Sequence, residues 1–111
     1  MQNFKFRTWD KEWNEMLSWE ETQQIVWDVN KLFDEKGQRY VPMQFTGLHD
    51  KNGQEIYIGD LVTTVDKEQL VFEVLINDFS QIPVVDSDTG QMHLYKCHKA
   101  IEVVGNIYDG I

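Results

Sequence analysis

Three side chains near the C-terminus, His93, Cys97 and His98, are the types that ligate transition metals. If their segment is a strand, as its neighbours suggest, positions 93 and 97 point to one side and 98 to the other. No fourth ligand stands at a convincing spacing, and structural zinc closes four positions. They therefore read as surface or half-buried residues rather than a metal centre. Cys97 as a nucleophile would need a base and an oxyanion site, and the sequence identifies neither. Asp86-Ser-Asp-Thr-Gly90 opens like a calcium loop but lacks the bidentate glutamate that would complete it; position 93 is His and position 97 is Cys. Its residues favour a tight turn instead. FTGLHDKNGQEIYIGD, residues 45–60, holds three glycines, yet it is no phosphate loop. No glycine-rich turn opens onto a helix and no Lys-Ser or Lys-Thr pair follows. His49 reads as a solvated loop residue. No catalytic, cofactor-binding or metal-binding residue is assigned, and no cofactor is expected.

The elements around these residues are short. Phe4, Phe6 and Thr8 alternate with Lys5, Arg7 and Trp9, which predicts a strand. A polar turn over Asp10–Asn14 then leads to Met16 and Leu17, predicting an N-terminal hairpin. Residues 20–34 fit two periods: Ile25, Val29, Leu32 and Phe33 lie on a helical face, while Ile25, Trp27, Val29 and Phe33 lie on a strand face. The Val, Ile and Trp content, with Asp34-Glu-Lys-Gly37 as a turn, favours a hairpin over a short helix. Pro42 lacks a backbone donor, so its strand is expected to lie at an edge or end there. Asn52-Gly53 predicts a tight hairpin turn and Gly59-Asp60 a second. LVFEVLIND, residues 70–78, has two populated faces and reads as a central or highly curved strand. A strand, the 86–90 turn and a returning strand follow. In the closing run Ile101, Val103 and Ile107 alternate around Gly105, a candidate bulge. Short strands at this spacing indicate a small β-barrel or sandwich.

Charge and composition set limits. The chain has 111 residues, a formal charge of −9 and 13% aromatics. The acidic balance argues against direct nucleic-acid binding, which needs Lys and Arg to displace counterions. Trp9, Trp13, Trp19 and Trp27 could stack bases, but without basic residues between them core or interface packing is the better reading. A lone cysteine excludes an internal disulfide. No run approaches the roughly 20 apolar residues of a membrane span, and the N-terminus has no apolar signal core, so no membrane association and a cytoplasmic location are expected.

Three segments in this order, KFRTWDKEWNEM, MQFTGLHDKNGQEIYIGDLV and IEVVGNIYD, resemble the YopX family, small proteins encoded by phages and prophages of Gram-positive bacteria. Phe45, His49 and Ile58 stand where that family often has Tyr, Lys and Glu, and all three suit the same turn-strand-turn arrangement. The resemblance implies a mainly β chain with little helix. Its N-terminal β-hairpin region would span 1–44, and a small SH3-like β-barrel would span 45–111, the two packed as one compact unit. It supplies no catalytic residue. The function expected is that of a phage or prophage accessory protein in the bacterial host, not an enzyme, acting by contact with a host or phage protein or by self-association as a homo-oligomer. The alternative is an acidic decoy that inhibits a host defence or nucleic-acid enzyme.

Overall fold

Turn chemistry cuts the chain into short strands. The computed structural model describes residues 5–26, 39–64, 70–87 and 89–110. The chain divides into two compact units, Met1–Phe45 and Thr46–Ile111.

In the first unit β1 (Phe6–Asp10) and β2 (Glu15–Leu17) form the expected hairpin, with Thr8 opposite Leu17 and Asp10 opposite Glu15. Asp10 Oδ1 accepts the Glu12 and Trp13 N–H groups at 3.0 and 3.3 Å, and Asn14 takes φ 53°, a conformation asparagine tolerates. The hairpin expected next is corrected: Trp19–Val26 is a helix, α1. Its start is a capping box. Ser18 Oγ accepts the Glu21 N–H at 3.1 Å, and Glu21 Oε1 accepts the Ser18 N–H at 2.9 Å. Two of the donors orphaned at a helix start are thereby satisfied, which outweighs the strand preference of Ile and Val. Thr22, fully buried, anchors α1 through a 2.9 Å hydroxyl contact with Thr8 of β1. The rest of the expected hairpin, including its Asp34–Gly37 turn, lies outside the described residues.

Strand β3 (Tyr40–His49) pairs antiparallel with β1 and runs straight through Pro42, which faces Thr8. The expectation that the strand would end there or lie at a sheet edge is therefore corrected in part. Hydrogen bonds at Phe45–Lys5 and Lys11–Arg39 set the alternation, so Thr8–Pro42 falls on a pair that exchanges none. The missing donor points away from β1 and costs that ladder nothing.

The second unit carries β4 (Glu55–Tyr57), β5 (Asp60–Thr64), β6 (Val71–Ile76), β7 (Pro83–Ser87), β8 (Gly90–His93), α2 (Leu94–Cys97), a 3-10 turn (His98–Ala100) and β9 (Ile101–Asn106). Five of its strands form one antiparallel sheet in the order β8-β7-β6-β5-β9, curled into a half-barrel. In the first unit the strand order is β2-β1-β3. The chain is thus mainly β with little helix, as expected, and its barrel-like C-terminal part is this curled sheet. β6 is its middle strand, matching the two apolar faces of the sequence. Ile56, Val62, Val74, Leu94 and Ile101 are at most 1% exposed and make the core with Val85. Each such side chain contributes about 1.5–3 kcal/mol by leaving water. The expected bulge exists: Leu61 faces Gly105 while Val62 faces Val103, leaving Val104 without an opposite residue. The returning strand is shorter than expected. It ends at His93, and Leu94–Cys97 turns helical so that Leu94 can enter the core.

Candidate functional site

The residues of the 45–60 stretch build two turns. Gly53 and Gly59 take φ 84° and 98°, the region glycine enters freely. The carboxylate of Asp50 organises the first turn. Its Oδ1 accepts the Asn52 and Gln54 N–H groups at 2.8 and 2.9 Å, and its Oδ2 accepts the Val103 N–H of β9 at 2.9 Å. Burial pushes its pKa up, but the three donors outweigh burial and hold it below the ordinary carboxylate value. Asp60, fully buried, does similar work in the second turn, its Oδ2 accepting the Tyr57 N–H at 2.7 Å. Both carboxylates accept from backbone donors.

The metal-type side chains do not converge. Because Leu94–Cys97 is helical, Cys97 Sγ donates to the His93 carbonyl at 3.6 Å, while the His93 ring lies against Tyr95 with centroids 5.4 Å apart. His98 Nδ1 lies 2.6 Å from the His49 carbonyl; a carbonyl only accepts, so Nδ1 carries the proton. Burial pushes the Cys97 thiol up, away from the thiolate a nucleophile needs. Among the described residues no three His, Cys, Asp or Glu side chains gather in a way that could hold a metal ion. In the 86–90 stretch β7 and β8 pair up to Ser87 and Gly90, where Ser87 Oγ donates to the Gly90 carbonyl at 2.9 Å; Asp88 lies outside the described residues. The described tryptophans do not share one exposed face: Trp9 is 5% exposed and Trp13 68%; Trp27 lies outside the described residues.

The surface feature that stands out is the β6–β7 loop. Asn77 Oδ1 accepts the N–H groups of Phe79 and Ser80, both at 2.9 Å, and Ser80 Oγ approaches the same oxygen at 3.3 Å. Backbone bonds from Gln81 N–H to Asn77 O and from Asn77 N–H to Ile82 O close the loop base. On this fixed tip Phe79 is 99% exposed, with Ile82 36% exposed beside it in sequence. Sequence reading did not single out Phe79. The available signal was Asn77-Asp78 directly after an apolar run, an Asx-turn pattern that carries the next residue outward.

A family model described as YopX protein matches residues 5–110. The crystal structure of protein EF1440 from Enterococcus faecalis is similar, with TM-score 0.62 and 23% identity over 95% of this chain and 93% of that one. At that identity the likeness is one of fold. No curated protein matches the chain.

Proposed function

Since the chain belongs to the YopX family, we propose that it is a phage- or prophage-encoded accessory protein of the host cytoplasm that acts by binding. The bound partner is another protein or a second copy of the chain. Membership fits an accessory protein of unestablished activity, and the family is not a known enzyme family. The observation that carries the reading is Phe79, 99% exposed on a loop held by Asn77. Leaving a phenylalanine wholly in water forgoes about 1.5–3 kcal/mol of burial. Aromatic anchors on preordered loops return that energy at an interface. Also, among the described residues no helix is long and apolar enough to cross a membrane. Phe79→Ser removes no core contact and should leave the melting temperature unchanged. It should abolish either the oligomer seen by sedimentation or the protein captured from host extract. A variant with the wild-type oligomer and wild-type capture would refute the role of the tip.

The decoy reading has some support from the net charge of −9 and from Glu73 and Asp86, which face each other across β6 and β7. Against it, Asp10, Asp50 and Asp60 are buried. Salt separates the two: charge-driven capture weakens steeply between about 0.1 and 0.5 M NaCl, where the Debye length falls about twofold, and apolar capture survives.

A further inference from the structure

Of the chain's asparagines only Asn52 stands before a glycine. That pair carries a chemistry of its own. The backbone nitrogen of the following residue can attack the asparagine Cγ and close a five-membered ring. Glycine offers the least hindered nitrogen for this step, because it has no Cβ. Asn52 and Gly53 are both exposed, and a Cβ built on Gly53 meets nothing within 4 Å. Water therefore reaches the reacting groups. Among the described residues Asn52 is held through its backbone N–H, and its side-chain amide makes no hydrogen bond.

The fold opposes the reaction at one atom. The Gly53 N–H, whose nitrogen would be the nucleophile, donates to the Asp50 carbonyl at 3.0 Å. The Asp50 carboxylate takes the N–H groups on either side of it, those of Asn52 and Gln54. Asp50 N–H donates to the Gln54 carbonyl at 2.8 Å, and Lys51 N–H to the Ile101 carbonyl at 3.0 Å. An amide nitrogen must shed its proton to attack, and one bonded to a carbonyl keeps it. Ring closure therefore waits for the turn to open, and its rate follows the free energy of that local opening.

We propose that Asn52 is a site of spontaneous deamidation and that Asp50 governs its rate. In the opened turn hydroxide takes the Gly53 amide proton and the nitrogen bonds to Asn52 Cγ. The Cγ–nitrogen bond of the side chain breaks, and that nitrogen leaves as ammonia, taking a proton from water. Water then opens the succinimide at either carbonyl. One product has aspartate at position 52. The other, isoaspartate, runs the backbone through the side chain and so adds a methylene to it. That methylene falls inside the turn that Asp50 fastens to β9 through Val103. The site is independent of the Phe79 tip, so either reading can fail without the other.

The test incubates the purified chain in mildly alkaline buffer, folded and in urea. Mass spectrometry of a digest locates the amide-to-acid change, and chromatography separates the aspartate and isoaspartate forms. Conversion should concentrate at Asn52 and run at least about tenfold slower in the folded chain than in urea. Asp50→Ala should remove most of that protection, each variant being referred to its own rate in urea. Asp50→Asn, which keeps one acceptor oxygen, should fall between. Asp10→Ala, which removes a buried carboxylate whose bonds lie in the first unit, should leave the protection in place. Aged wild type should melt at a lower temperature than fresh protein. Asn52→Asp, which carries the charge without the methylene, should melt close to fresh protein. A folded rate equal to the rate in urea overturns the proposal. So does protection that survives both Asp50 substitutions, or that Asp10→Ala removes as fully as Asp50→Ala does.

Discussion

The Asp50 carboxylate accepts the backbone N–H of Val103 at 2.9 Å, 53 positions further along the chain. With Asn52 and Gln54 on its other oxygen, it fixes a turn and fastens that turn to β9. Asp50→Ala strips three donors of their acceptor and should destabilise the fold by about 3 kcal/mol, the scale of lost hydrogen bonds to a charged group. Asp50→Asn keeps one carbonyl oxygen and should lose less. Urea denaturation of both variants checks the order; equal midpoints would show that charge and acceptor count do not matter here.

Acid should weaken the protein through two named groups. The Arg39 guanidinium, at 2.9 and 3.0 Å from the Asp10 oxygens, holds that carboxyl below its ordinary 3.8, and Asp50 is likewise depressed. A folded pKa below the unfolded one means the unfolded chain binds the proton first. The stabilisation is therefore complete above the unfolded value of about 4 and is lost as pH falls through the lower folded values. Urea midpoints at pH 7, 5 and 3 should hold steady between the first two and drop at the third. Asp10→Asn and Asp50→Asn should each flatten the drop. Parallel curves for wild type and variants would exclude these two groups as its source.

Gly53 is needed for its backbone and not for its space. Its φ is 84°, yet a Cβ built there meets nothing within 4 Å. Gly53→Val should cost about 1–2 kcal/mol of pure backbone strain, and Gly53→Asn should cost less because asparagine enters this region more readily. Thermal melting reads both. A valine variant that melts like the wild type but loses its partner would mean the turn contacts the partner directly.

Asn77 holds the tip that carries Phe79. Asn77→Ala should speed hydrogen exchange at the Phe79 and Ser80 amides by tenfold or more, about 1.4 kcal/mol of local opening. Amides of β6 should keep their protection. If binding depends on a preordered anchor, affinity should fall with the same substitution even though Phe79 remains. Unchanged exchange at residues 79 and 80 would show that the loop backbone alone sets the tip.

Much of this fold is written locally. Asn52-Gly53, Asp86–Gly90 and the Gly105 bulge were legible because each states its own backbone requirement within a few residues. Helix α1 is equally legible in principle, since Ser18 and Glu21 have capping-box spacing, while the strand preference of Ile25, Val26 and Trp27 points the other way. Pro42 is a different case. Its cost depends on which side of the ladder its nitrogen faces, and that follows from pairing with Thr8 and not from the sequence around it.

The sequence by itself determined strand period, turn positions, the acidic charge and the resemblance to a family, all of which depend on neighbours a few residues apart. Tertiary structure alone decided that Asp50 and Asp60 are buried hydrogen-bond acceptors and that His93, Cys97 and His98 do not converge. Hydrogen bonds and burial are settled by side chains that meet across the sheet. Asp50 finds Val103 only once β9 has taken its place.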